Sequence, residues 1–272
     1  MGFRAKKIVI TGIVALFSLV AFIPYYVTFI MGTHTSESLY REIHWLPGNE
    51  SARNLTIIIE AGFMKFYWNS FYVAVITAVL SVLVSLAAGY AFAKFSFKGN
   101  KVLFTIVMMT MMIPIQIGMV GTVIEMRTLG WLGTHLPIII PFIPSAFGVF
   151  WMRQYAMSFL PTEVIESARI DGSGEFRTFF AIAIPMCKSA VITLLLLSFV
   201  MSWNSYLMPL VLINKRELYT IPLALASLTS LYENNLASQI MAVTIGTIPM
   251  LILFAFGSKY FIRGLSAGAV KG

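Results

Sequence analysis

The sequence predicts an all-α integral membrane protein with six transmembrane helices, and three observations carry that expectation. Hydrophobic residues make up 58% of the 272 positions, against roughly 45–50% in soluble domains. Charged residues make up only 11%, against about 25% in soluble domains. The apolar residues also gather into six runs close to the length of about 20 residues that crosses a bilayer.

The first run, 8–31, follows Arg4, Lys6 and Lys7. It is far longer than the roughly 7–15 residues of a signal-peptide core and no small-residue cleavage site follows, so the helix is expected to be retained. An outer loop from Gly32 to Asn69 comes next, mixing Pro47, Gly48 and Asn49 with Trp45, Tyr67 and Trp68. Aromatics of this kind favour the membrane–water boundary. The second and third spans are expected at 70–93 and 102–124. The fourth, 136–152, carries Pro137, Pro141 and Pro144. Prolines are tolerated in a span where neighbouring helices or polar groups satisfy the freed carbonyls, so a bent, protein-packed helix is expected. The fifth and sixth spans fall at 189–213 and 240–261, with a tail at 262–272. The whole chain reads as one membrane domain.

Six spans put the N-terminus, second loop, fourth loop and C-terminus on one side. That side holds thirteen of the 19 Lys and Arg, counting Arg153 in the fourth loop, so the positive-inside rule places both termini in the cytoplasm. The net charge of +8 then reads as a topology signal and an attraction to anionic lipid, not as nucleic-acid binding. Lone Cys187 excludes an internal disulfide. His34, His44 and His135 lie far apart in outer loops and read as solvated residues.

The segment 161–185 is a charged island in this apolar chain. Pro161 and Thr162 form a helix start, with Thr162 able to cap and Glu163 and Glu166 suited to the positive helix end. Gly172 and Gly174 stop that helix. A second run then places Phe176, Phe179, Phe180 and Ala183 at i, i+3, i+4 and i+7, as one apolar face. Three readings compete. One is an amphipathic helix lying in lipid headgroups. Another is a plug for a hydrophobic groove on a second protein. The third is an enzyme's acid cluster, which lacks a His pair at metal-ligand spacing and any nucleophile motif. No metal site is expected.

The run Glu166-Ser167-Ala168, three residues, Gly172, nine residues, then Ile182-Ala183-Ile184-Pro185 resembles the signature E-A-A-x3-G-x9-I-x-L-P of ABC-importer permeases. It departs from the pattern at Ser167 and Ile184. Pro161-Thr162-Glu163, Ile170-Asp171-Gly172, Trp203-Asn204, Pro209-Leu210, Tyr90-Ala91-Phe92-Ala93 and the tail Gly264 to Gly272 are similar to the carbohydrate-uptake branch. The resemblance implies a type I ABC importer permease fold whose cytoplasmic coupling helix docks on a separate ATPase. Carried over residue by residue, the coupling set is Glu163, Glu166, Ala168, Asp171, Gly172, Phe176 and Pro185. The tail residues Gly264, Gly268, Lys271 and Gly272 would touch the ATPase as well. The implied partners are a second homologous permease, two cytoplasmic ATPase subunits and an extracytoplasmic solute-binding protein.

This chain has no G-x-x-x-x-G-K-[ST] loop, so ATP and Mg would sit on the partner and no cofactor or catalysis is expected here. The implied function is inward movement of a sugar or oligosaccharide by alternating access. Gln116, Trp203, Asn204 and Tyr206 are candidates for the substrate pathway, since such groups hydrogen-bond hydroxyls and stack on sugar rings. A permease for a small polar solute such as a polyamine shares the same loop. An ion-coupled secondary transporter would need carboxylates within its spans, and none are visible.

Overall fold

A computed structural model describes residues 3–231 and 235–269, with side chains of 4, 6–227 and 235–260. The described residues form helices joined by turns, with no strand among them. In chain order these are α1 (Phe3–Met31), α2 (Ser36–Leu39), α3 (Ser51–Glu60), α4 (Phe63–Lys94), α5 (Asn100–Thr110), α6 (Met119–Thr128), α7 (Leu136–Ile139) and α8 (Ala146–Phe159). They continue with α9 (Thr162–Ile170), α10 (Glu175–Thr178), α11 (Ile184–Met186), α12 (Lys188–Trp203), α13 (Leu207–Leu212), α14 (Ile221–Leu231) and α15 (Leu236–Ala269).

Four stretches are long and apolar enough to cross a membrane: Lys6–Met31, Phe63–Lys94, Leu136–Phe159 and Leu236–Tyr260. Two more qualify only as bent pairs, Asn100–Thr110 with Ile115–Thr128 at 84° and Glu175–Met186 with Lys188–Trp203 at 80°. Counting each bent pair once gives six.

The first bend has a local cause, and a separate interruption falls between α12 and α13. Pro114 stands at the bend between α5 and the 3-10 turn Ile115–Gly118, where its missing N–H and its ring oppose a continuous helix. α12 ends at Trp203 and helix resumes only at Leu207; Val200 O in the last turn accepts both Asn204 N at 3.1 Å and the Asn204 side-chain amide at 2.9 Å. The expected fifth span, 189–213, is therefore interrupted between α12 and α13. The proline-rich fourth span is built from α7, a 3-10 turn at Ile140–Phe142 and α8, which starts where Ser145 Oγ accepts from Gly148 N at 3.0 Å. It runs on to Phe159, past the expected end at 152. Arg153, assigned to the fourth loop from sequence, is consequently inside α8, with its guanidinium 4.1 Å from the Phe104 ring centroid.

The chain divides into two compact units. One comprises Met1–Lys65 and Ala224–Ile248, the other Phe66–Leu223 and Pro249–Gly272. In the first, Asn54 is buried and donates to Gly32 O and His34 O, both at 2.9 Å, while accepting from Ser238 Oγ at 3.1 Å. A buried amide satisfied on three sides pins the loop after α1 to the start of α15. His34 and His44, expected to be solvated, instead stack with ring centroids 3.8 Å apart.

In the second unit α4, α8 and α12 cross closely around Val82, Leu86, Met152, Ala156, Cys187, Ala190 and Leu194. Glycines permit the approach. A Cβ on Gly89 would stand 2.7 Å from Arg153 N, and one on Gly148 would stand 2.9 Å from Ser85 Cβ. His135 also departs from the solvated expectation. It is buried, its Nε2 bonds Leu218 O at 2.7 Å, and its Nδ1 faces the Tyr72 hydroxyl. The hydrogen bonds available from Tyr72 and a carbonyl draw the ring inward.

Candidate functional site

The charged island folds as a helical elbow, built from α9, a turn at Asp171–Gly174, and a second helical stretch from α10 through α11. α9 begins at Thr162 directly after Pro161, so Thr162 is the first helical residue and not the expected cap. Pro161 makes no side-chain cap, and the Thr162 hydroxyl accepts from Lys94 Nζ at 3.4 Å.

The end of α9 is closed by backbone alone. Gly172 has φ +78°, a conformation that costs other L-residues roughly 1–2 kcal/mol. Its N–H donates to Arg169 O at 3.0 Å and the next N–H, of Ser173, donates to Ala168 O at 2.9 Å. That pair of bonds is the Schellman closure, and it satisfies carbonyls that a helix end otherwise leaves open. The Arg169 Nε to Glu175 Oε1 contact, 2.7 Å, ties the two helical arms across the turn. The same hydrogen bond holds the Arg169 pKa above its ordinary value.

The elbow rests on a small aromatic cradle. Tyr90, Leu160, Ile165 and Ala183 are buried together, with Phe95, Phe179 and Ile182 packed against them. Ile165 is 1% exposed. Tyr90 meets Phe95 edge-on at 5.7 Å and Phe179 at 5.3 Å, and the Arg169 guanidinium is 5.7 Å from the Phe95 centroid. These contacts position α9 relative to the end of α4.

The second arm departs from the expected single apolar face. Its middle, Phe179–Ala183, is π-helical, a one-residue widening just before Pro185, whose ring cannot sit under the carbonyl four residues earlier in an ordinary helix. The widening changes which side chains align. Thr178, Ala183 and Cys187 turn inward, whereas Phe180 and Phe176 turn out.

Among the residues assigned to the coupling set, Glu163, Glu166, Asp171, Gly172, Phe176 and Pro185 are exposed and Ala168 is buried. Ala168 contributes its carbonyl to the turn and its methyl to the interior. Ile170, part of the Ile170-Asp171-Gly172 motif, is not assigned to the coupling set. It is 85% exposed, and with Phe176 at 84% it gives the elbow two bare apolar side chains flanking the glycine turn. The available signal was register: Ile165 and Ala168 share the inward face at i and i+3, and Ile170 is off that face.

The pathway candidates separate. Trp203 is 3% exposed, stacked on Phe199 at 5.6 Å and edge-on to Tyr67 at 5.5 Å, which makes it a wall of the aromatic packing. Asn204 and Tyr206 are exposed at the α12–α13 break, and Gln116 is exposed at the α5–α6 break. The pieces beyond the two breaks, α6 and α13, pack on each other around Met126, Met208 and Leu212. Gly264 and Gly268 lie on the helical backbone of α15, so the end of the chain continues as helix through Ala269 where a tail was expected; Lys271 and Gly272 lie outside the described residues. Among the described residues no group of three or more His, Cys, Asp and Glu is placed to hold a metal.

Apolar helices of membrane-crossing length, a bend beside Pro114 and a helical elbow tipped by Ile170 and Phe176 suit a membrane transport subunit. Residues 81–266 match the binding-protein-dependent transport system inner membrane component family, and the chain belongs to that family. It is 34% identical over 275 residues to the arabinooligosaccharides transport system permease protein AraQ of Bacillus subtilis (strain 168), covering 99% of this chain and 98% of that one. The lactose transport system permease protein LacG of Rhizobium radiobacter is 34% identical over 205 residues, covering 75% of this chain and 74% of its own length. Among solved structures, a bacterial ABC transporter involved in the import of the acidic polysaccharide alginate superposes with TM-score 0.79 at 24% identity, covering 95% of this chain and 97% of that one. The fold is that of a type I ABC importer permease, and the chain is an inner-membrane transport subunit, not an enzyme.

Proposed function

We propose that this chain moves a sugar or oligosaccharide into the cytoplasm by alternating access, driven through its elbow by a separate ATPase that holds ATP and Mg. The assembly would comprise this permease, a second homologous one, two ATPase subunits and an extracytoplasmic solute-binding protein, with both termini cytoplasmic. The observation that carries the coupling role is the bare pair Ile170 and Phe176 on a turn whose backbone is fully closed.

The energetics favour docking by burial. Driving a two-state equilibrium from 1:99 to 99:1 takes about 5.5 kcal/mol, whereas an exposed ion pair supplies about 0–1 kcal/mol. Burying two large apolar side chains adds about 1.5–3 kcal/mol each. Glu163, Glu166 and Asp171 would then set orientation at the rim, and Gly264 and Gly268 would form a second contact. The sugar assignment rests on the oligosaccharide and lactose relatives together with the exposed Asn204, Tyr206 and Gln116 at the helix breaks.

Ile170→Asp and Phe176→Asp test the coupling role, because neither side chain packs inside this chain. Each variant is expected to insert normally, lose copurification of the ATPase and lose uptake of labelled oligosaccharide. Full ATPase retention and wild-type uptake in both would refute the assignment.

A further inference from the structure

The loop after α1 carries an apolar surface that none of the roles above uses. Tyr40, Ile43, Trp45 and Leu46 are 71%, 64%, 58% and 76% exposed. Four large apolar side chains in seven residues, uncovered by the rest of the chain, form the kind of patch that soluble surfaces avoid.

The loop carrying them is held from within. Thr33 Oγ1 accepts from Gly48 N at 2.7 Å, and Thr33 O accepts from Glu50 N at 2.9 Å. His34 stacks on His44, and its Nε2 bonds Leu46 O at 2.9 Å. Gly48 is required at that closure, since a Cβ there would stand 2.6 Å from Thr33 O. The apolar side chains are therefore displayed by a closed loop.

One further bond sets the loop's depth. Tyr26, on the lipid-length helix α1, donates its hydroxyl to Trp45 O at 2.7 Å. Nineteen rises separate Lys7 from Tyr26, roughly 29 Å at about 1.5 Å each, against a hydrocarbon thickness of about 30 Å. With Arg4, Lys6 and Lys7 at one boundary, Tyr26 stands at the other, and so does the Trp45 backbone bonded to it. The nearby charges suit headgroups: Arg41 and Glu37 pair at 2.5 Å, and Glu42 is exposed beside His44.

We propose that Tyr40–Leu46 is an anchor seated in the headgroup and upper acyl region of the outer leaflet, strapped to α1 by the Tyr26–Trp45 bond. Its occupant is phospholipid, argued from continuity with a membrane-spanning helix at the depth where aromatic side chains collect. The anchor fixes the outer end of α1 and is independent of the sugar and ATPase assignments.

Spin labels at Ile43→Cys and Leu46→Cys test the anchor in the complete transporter reconstituted in phosphatidylethanolamine–phosphatidylglycerol vesicles. Wild type, whose Cys187 is buried, serves as the blank, and exposed Asn49→Cys marks the water side. At 43 and 46 the ratio of relaxation by oxygen to relaxation by a water-soluble nickel chelate is expected above one, and at 49 below one. Nickel-dominated relaxation at 43 and 46 would place the loop in water and overturn the anchor. Exclusion of both relaxants would place it under a protein, such as the solute-binding protein, and overturn it equally. Tyr26→Phe should lower the ratio at 46, and an unchanged ratio would overturn the strap.

Discussion

Gly172 is the residue on which the elbow turns. Its φ of +78° and the open space around it separate two causes of sensitivity, because a side chain there meets only its own backbone. Gly172→Val is expected to cost about 1–2 kcal/mol, lower the thermal midpoint in detergent and abolish uptake, while Gly172→Asn keeps most of both because Asn tolerates the left-handed region. Equal loss in the two variants would mean that bulk at the docking surface decides the outcome. His135 gives a pH prediction. Burial lowers its pKa from the ordinary 6.5, with the Leu218 hydrogen bond opposing. The unfolded chain therefore takes up the proton first. Stability should be level above about pH 6.5 and fall as pH drops through that value toward the lower folded pKa. Thermal midpoints measured from pH 8 to 5 should show the fall, and His135→Gln should flatten it. The sequence placed Gly172 correctly as a helix stop because turn chemistry is local. It left His135 in solvent because Tyr72 and Leu218, its partners, are 63 and 83 residues away.

At the scale of elements, the crossing of α4 and α8 rests on two glycines that differ in what they face. A Cβ on Gly148 meets the Ser85 side chain, while one on Gly89 meets Arg153 N, part of a helix backbone. Overpacking of this kind costs about 1–3 kcal/mol. Gly148→Ala should lower the thermal midpoint and recover when Ser85→Gly is added, whereas Gly89→Ala should stay destabilised in the same background. Failure of Ser85→Gly to rescue Gly148→Ala would show that the α8 backbone, not the Ser85 side chain, is what cannot move. Helix periodicity identified both arms of the elbow and failed on the face of the second. A 3.6-residue repeat aligns Phe176, Phe179, Phe180 and Ala183, but the π segment before Pro185 adds one residue to the turn, so Ala183 falls inward while Phe176 and Phe180 stay outward. The proline was visible; the way the helix would absorb it was not.

For the whole molecule, ATP-driven transport and ion-coupled transport make opposite forecasts. Depleting ATP in cells carrying the full system should stop uptake, and collapsing the proton and sodium gradients at constant ATP should leave it near normal. The reverse pattern would favour the secondary transporter. Fluorescent-protein fusions at either end should be bright, as cytoplasmic reporters are, and dark fusions would reverse the topology. Composition and apolar run length by themselves determined that this chain is a helical membrane protein, because a bilayer demands long uncharged segments whatever their neighbours. Short motifs determined its family, because a turn between two helices is specified by adjacent residues. Only the tertiary structure decided which side chains of the elbow remain bare, which span candidates are broken, and that Trp203 is packing and not open surface. The bare side chains and the packed Trp203 depend on neighbours distant in the chain, which no local pattern encodes, and the breaks depend on how the backbone absorbs a residue such as Pro114 that is visible in the sequence.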